Sequence, residues 1–315
     1  MATNLLSPIF SDEAAARAHF EAIRWPNGRI CFHCGVIGNS TLMQGKTTRP
    51  GLYKCKSCRK PFTATMGTVY ERSHIPLHKW LLATHLMVSS KKGISSHQLW
   101  RMLGFGSYRT AWFMSHRIRE AMRDMDGAPF GGEGTTVEAD ETYIGRKTGV
   151  VKGPRDKGFR HKLRVVSLID RHTGAARSFH SERVKGGEVA DIVRQNVARE
   201  ARLMTDESRN YWTVGKEFAD HQSVMHAGRE YVRRGHPDIH TNTIEGFFSI
   251  FKRGMRGIYQ HCAEHHLHRY LAEFDFRYSN RVALGFNDAD RAAVALAGTV
   301  GKRLMLKKSD GAAYA

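Results

Sequence analysis

Three short stretches of the chain carry carboxylates at positions where a carboxylate needs a partner. In "VEADETYIG", strand alternation sets Glu138, Asp140 and Thr142 on one face, and Val137, Ala139, Glu141 and Tyr143 on the other. Asp140 projects from mid-strand, where burial without a partner is costly and a divalent cation is a natural partner. "RLMTDE" repeats the pattern, with Asp206 where the chain leaves an apolar strand, the end at which open α/β sheets gather their sites. The third stretch is "HTNTIEGFFSIFKRG". As a helix it sets Glu245 and Lys252 two turns apart on nearly the same side, with Asn242 one turn before Glu245. Ile244, Phe247, Phe248 and Phe251 form its opposite, apolar face. Mg²⁺, or Mn²⁺ in its place, takes oxygen ligands, and two or three convergent carboxylates suffice when a phosphate supplies the rest. The chemistry indicated is phosphodiester cleavage or transfer on nucleic acid. Plainer readings stand beside it: a solvated edge strand for Asp140, a helix N-cap for Asp206, and an Asn-x-x-Glu capping box for Asn242 and Glu245.

A second kind of metal chemistry lies nearer the N-terminus. Four of the five cysteines fall as Cys31-x-x-Cys34 and Cys55-x-x-Cys58, in the knuckles "RICFHCG" and "YKCKSCRKPF". That spacing is the layout of a zinc ribbon binding one structural Zn²⁺, with His33 a bystander. Cys262 is left without a partner and is expected to be buried.

The elements that must position these groups follow from pattern. A helix is expected over residues 10–25, with acidic residues in its first turn. After the cysteine module the chain turns helical from Ile75 to Arg123. The break "GFGS" before a helix bearing Arg109, His116, Arg117, Arg119 and Arg123 suits a helix-turn-helix whose basic last helix meets DNA. The loop "DGAPFGGEGT" marks a boundary. Beyond it, "TTVEADETYIG", "KLRVVSLIDRHTG" and "AARSFHSERV" read as three meandering strands, "GEVADIVRQNVA" as a crossover helix and "RLMTDE" as a fourth strand. The expected fold class is therefore α/β, an RNase H-like mixed sheet with flanking helices, preceded by a zinc ribbon and a helical segment. The corresponding domains are 1–72 (N-terminal helix and zinc ribbon), 73–130 (helix-turn-helix-like), 131–281 (catalytic) and 282–315, a basic tail ending in "GKRLMLKKSDGAAYA".

Lys and Arg number 49 against 30 Asp and Glu, a net charge of +19 with a pI near 10.0. Such an excess predicts a polyanionic partner, most often nucleic acid. No apolar run is long enough to span a bilayer, and "MATNLLSPIFSDEAAARAHFEAIRW" lacks the form of a signal peptide. A cytoplasmic, nucleoid-associated protein is the expectation, with no membrane partner.

"EADETYIG", "TDE" after a strand and, most specifically, "HTNTIEGFFSIFKRGMRGIY" resemble the bacterial insertion-sequence transposases that join an N-terminal zinc ribbon to an RNase H-like acidic-triad domain. The resemblance runs from about Cys31 to Arg281. It implies that Asp140 and Asp206 are the first two metal-binding carboxylates and that Asn242 or Glu245 is the third. Lys252 is the basic residue that follows on the same helix, where Arg253 adds a further DNA contact. It also implies double-stranded DNA, both element ends and target, as substrate. Water cleaves, a DNA 3′-hydroxyl joins, and no covalent protein intermediate forms. At least two protomers pair the two ends, a homodimer or larger. Two other readings of the same features are a zinc-ribbon DNA-binding regulator without catalysis and a metal-dependent nuclease that does not join.

Overall fold

Helix α1 (Glu13–Arg24) starts at Asp12, whose carboxylate accepts the Ala15 N–H at 2.7 Å, and it buries Ala16 and Phe20. The computed structural model describes residues 4–124, 127–153, 158–181 and 187–306. Strands β1 (Ser40–Leu42), β2 (Tyr53–Cys55) and β3 (Pro61–Phe62) follow as a small antiparallel sheet in that order. Helices α2 (Leu77–Ser89), α3 (Ser96–Leu103) and α4 (Tyr108–Met122) come next. The turn between α3 and α4 has the expected chemistry: Gly104 closes α3 at φ 62°, and the Ser107 hydroxyl caps α4 by accepting the Arg109 N–H.

Helix α4 differs from expectation in which side it exposes. Arg117 and Arg119, read from sequence as DNA contacts, are interior at 8% and 0% exposure. The Arg117 guanidinium lies over the rings of Trp80 and Phe113 and donates to the Glu71 carbonyl at 2.7 Å, and Arg119 donates to the Ser115 hydroxyl at 3.0 Å. Burial brings Arg117 down to about 10. His116 is buried too, while Arg109, in the first turn of α4, is exposed. A basic helix with aromatic neighbours from other elements can be a core helix, its guanidinium planes stacked on rings.

The acidic half of the chain is built on a five-stranded sheet. Strands β4 (Thr136–Ile144), β5 (Leu163–Asp170) and β6 (Ala176–Ser181) form an antiparallel meander. Helix α5 (Gly187–Asn196) crosses over to β7 (Arg202–Asp206), which pairs parallel with β4. After a short α6 (Arg209–Trp212), β8 (Asp220–Val224) adds in parallel, giving the order β6-β5-β4-β7-β8. Residues 182–184 of "AARSFHSERV" lie outside the described residues. β8 and the hairpin of β9 (Val232–Arg233) and β10 (His236–His240) had no sequence signal, because their residues are mostly polar and only partly buried. Then come α7 (Asn242–Gly254) and α8 (Leu267–Ser279).

The period-two pattern holds. Val137 and Ala139 pack with Val166, Leu168 and Leu203 beneath α5 and Tyr211 of α6. On the other face Ile144, Val165 and Ile169 meet Ile244, Phe247, Phe248 and Phe251 of α7, with Leu267, Leu271 and Phe274 of α8. β5 is buried along its whole length, as expected of a strand covered on both faces.

The chain forms two compact units, Asp124–Gly285 on one side and Met1–Arg123 with Phe286–Ala315 on the other. Within the stretch expected as a tail, α9 (Asp288–Ala297) is a helix of the first unit. Asn287 caps it with a full capping box to Asp290, and Ala295 and Leu296 are buried. Residues 307–315 lie outside the described residues. No helix of the described residues is long and apolar enough to cross a membrane.

Candidate metal centres

The cysteine cluster follows from two matching knuckles. In the first, the Cys31 N–H donates to the Val36 carbonyl and the Gly35 N–H to the Cys31 carbonyl. In the second, the Cys55 N–H donates to the Lys60 carbonyl. The residue after each second cysteine takes a left-handed conformation, Gly35 at φ 73° and Arg59 at φ 59°. The knuckles bring Cys31 and Cys58 Sγ to 3.7 Å, Cys34 and Cys55 Sγ to 3.7 Å, and all four within 4.8 Å of one another. A tetrahedron of thiolates about 2.3 Å from Zn²⁺ has edges of about 3.8 Å, which the two closest pairs match. The backbone N–H groups of Cys58 and Ser57 lower the Cys55 thiol, the direction that favours the thiolate a metal needs. The four cysteines are placed to bind zinc. His33 stands outside the set, its Nε2 3.0 Å from the Pro61 carbonyl. Cys262 is half-buried.

The acidic residues are positioned by register. Glu138 of β4 stands opposite Met204 of β7 in a parallel pair. Two residues further along both strands, Asp140 and Asp206 lie on the same face. The Glu141 N–H donates to Asp140 at 2.6 Å, and the Ser208 N–H to Asp206 at 2.9 Å. Burial, then the charges of Asp206, Glu141 and Glu245, push the Asp140 carboxyl up to about 8. Burial, then the Glu207 charge, also raises Asp206. Glu141 faces away, where its carboxylate accepts from Asn210 Nδ2 at 2.8 Å.

Helix α7 brings the remaining groups. Its N-cap is Thr241, whose own side chain makes no capping hydrogen bond, and the Asn242–Glu245 capping box does not form. Asn242 is exposed at the first helical position. The Glu245 carboxylate instead accepts from the Thr241 hydroxyl at 3.3 Å and lies 3.2 Å from His226 Nε2. Lys252 reaches toward the same region. Burial lowers its pKa, opposed by the charges of Asp140 and Glu245, and its Nζ lies 5.8 Å from the Phe248 ring centre. Arg253 is exposed and donates to the Ser249 carbonyl at 3.1 Å. In the other unit Arg123 is ion-paired with Glu120 at 3.0 Å.

Sequence reading missed the residue that fastens α7 to the sheet. Glu138 has no exposed surface; its carboxylate accepts from Arg171 Nε at 2.6 Å and from the Ile244 N–H at 2.8 Å. Arg171 also donates to the carbonyls of Asp238 and His240. Its face on the strand was legible, but its partners lie 33 and 106 residues away in sequence and left no local trace. Among the described residues, only the cysteines form a group of three or more ligand atoms gathered tightly enough to hold an ion as they stand. The charges of Asp206 and Glu245 both bear on Asp140. Three carboxylates, one with a strongly raised proton affinity, fit a hard cation: they share an excess of negative charge that a divalent ion would neutralise.

Residues 129–279 match the family model of the ISXO2-like transposase domain, and residues 11–61 match that of the transposase zinc-ribbon domain. A protein of Halobacterium salinarum described as an uncharacterized protein in transposable element ISH50 is 28% identical over 286 residues, 85% of this chain and 91% of that protein. A chain in the cryo-EM structure of the simian T-cell lymphotropic virus intasome in complex with PP2A regulatory subunit B56 gamma aligns at 12% identity with a TM-score of 0.30. It covers 56% of this chain and 63% of that one, a likeness too slight to carry an argument.

Proposed function

Since the chain belongs to the insertion-sequence transposases that join a zinc ribbon to an RNase H-like acidic domain, we propose that it cuts DNA at the ends of its element and joins them to target DNA, using Asp140, Asp206 and Glu245 around divalent metal. The observation that carries this reading is the placement of Asp140 and Asp206 on adjacent parallel strands, on the face covered by α7, with the Asp140 carboxyl pushed up to about 8. Bound there, a pair of Mg²⁺ or Mn²⁺ ions supplies the positive charge that activates an attacking oxygen and stabilises the leaving oxygen of an in-line displacement.

The chain's own residues do the rest. Asp140 and Asp206 present carboxylate oxygens from rigid strand positions, and Glu245 presents a third from α7, which Glu138 and Arg171 tie to β4. Glu245 is the ligand in preference to Asn242, because a hard cation favours an anionic oxygen and Glu245 already shares the field of Asp140. Lys252 places positive charge beside the carboxylates, where it contacts the scissile phosphate or its neighbour. The zinc ribbon and the exposed start of α4 at Arg109, with Arg123 and Arg253 as further basic contacts, hold the DNA ends, and two or more protomers pair them.

The test is an assay with labelled donor ends and a plasmid target in Mg²⁺. Joined products, lost in Asp140→Asn and Asp206→Asn while end binding persists, are expected. Cuts without joining would make the protein a nuclease, and neither product would leave a DNA-binding regulator.

A further inference from the structure

Where the β4–β5 connection meets the end of β6, the structure holds a small basic cavity that the acidic site does not use. It has a volume of about 130 Å³ and is lined by Tyr143, Phe159, Lys147, Arg160, Lys162 and Arg164, with no carboxylate among the described lining residues. Its two rings are stacked, with centroids 4.7 Å apart and planes at 22°. Phe159 is 53% exposed. Lys162 Nζ lies 5.2 Å from the centre of that ring. Arg164 forms the floor, fixed by two hydrogen bonds to the Ser181 hydroxyl at 3.0 and 2.6 Å. On the strands the cavity lies on the face of the sheet that carries Glu141: Tyr143 pairs with Arg164 and Arg164 with Ser181, while Asp140 points to the other face.

An exposed ring backed by a second ring and surrounded by cations is how proteins hold an unpaired nucleotide, since every base has a face that stacks and a phosphate that needs charge. The volume agrees. At about 130 Å³ the cavity is smaller than the roughly 150 Å³ that admits one benzene ring, so it has no room for a base pair, and a single base would lie against the exposed Phe159 ring at its mouth. We propose that the cavity receives one unpaired nucleotide of a DNA strand, its base stacked on Phe159 and its phosphate held by Lys147, Arg160 and Lys162. This rests on the reading of the protein as DNA-cutting and adds to it a separate site for an unpaired stretch of strand.

The experiment uses the full-length, zinc-loaded protein without Mg²⁺ and a short 5′-phosphorylated oligothymidine carrying one 2-aminopurine, whose fluorescence falls when it stacks. Wild type should bind the probe and quench it. Phe159→Ala should bind about tenfold more weakly or worse and lose the quenching, Phe159→Tyr should retain both, and Arg160→Gln should flatten the salt dependence of binding. An abasic probe should bind wild type as weakly as the normal probe binds Phe159→Ala. Equal binding of the probe by wild type and Phe159→Ala would overturn the proposal. So would an abasic probe that binds as tightly as the base-bearing one, which would reduce the cavity to a phosphate site. Mg²⁺-dependent cleavage of plasmid by wild type and Asp140→Asn is measured in parallel. Loss of the Phe159 effect with cleavage intact removes this inference alone, whereas stacking at Phe159 with no cleavage leaves the cavity standing and removes the reading of the acidic site.

Discussion

Asp140 gives up its proton reluctantly, and the sign of that reluctance yields a stability prediction. Its carboxyl sits at about 8 in the folded chain against 3.8 for an unperturbed aspartate. Between those values the folded state holds a proton that the unfolded state has lost, so stability falls as pH rises through that window. Asp140→Asn removes the titration and mimics the protonated group. Without added Mg²⁺ it should therefore melt higher than wild type by about 3 °C or more at pH 8.5, a gain that shrinks toward pH 5, as scanning fluorimetry would show. The same variant should have no metal-dependent cleavage. A lower melting temperature at pH 8.5 would mean that Asp140 is held by something other than burial and like charge. One turn into α7 the two candidates for the third ligand separate. Glu245→Gln should abolish cleavage or demand far more Mg²⁺, while Asn242→Ala, at an exposed position outside any capping box, should cleave nearly as wild type does. A Mg²⁺ titration of both variants decides this, and the opposite result would move the ligand to Asn242.

At the scale of elements, α4 separates DNA contact from core support. Arg109→Ala should leave the melting curve unchanged but lower DNA affinity and reduce the salt slope by about one. Arg119→Ala should instead destabilise its unit by about 3 kcal/mol, because it removes a wholly buried side chain and leaves space behind. Calorimetry beside a salt-dependent binding assay separates the two. In the zinc ribbon, Cys55→Ser should release the roughly one zinc per chain expected by metal analysis and unfold the ribbon. These elements also show what the sequence made legible. Strand parity in "VEADETYIG" placed Asp140 with Glu138, and the paired CxxC spacing placed all four zinc ligands, because both signals are local and periodic. The orientation of α4 was not legible, since Trp80 and Glu71, which enclose Arg117, come from earlier in the chain. Nor was the role of Glu138, whose partners are distant. Helix α9 was within reach: Asn287 with Asp290 is a capping pair, and it went unread because the small side chains of "RAAVALAG" give little amphipathic contrast.

For the molecule as a whole, the return of the chain to its first unit has consequences for stability. The Val69 N–H donates to the Thr299 carbonyl, the Gly301 N–H to the Gly67 carbonyl, and Lys302 Nζ to the Ala121 carbonyl at 3.0 Å. Deleting residues 286–315 should therefore lower the melting temperature of the cysteine-bearing unit and open it to limited proteolysis, while residues 124–285 resist as before. Equal protease resistance of both units after the deletion would show that α9 is dispensable. The same feature bears on time. A ribosome working at 5–20 residues per second takes roughly 10–30 s to make residues 124–285. Throughout that interval the first-made segment waits without its closing helix, although the entire five-stranded sheet can form as soon as it emerges. Synthesis therefore completes the units in the reverse of the order in which it starts them, and a chain released early carries a finished acidic sheet joined to an unfinished zinc-ribbon unit.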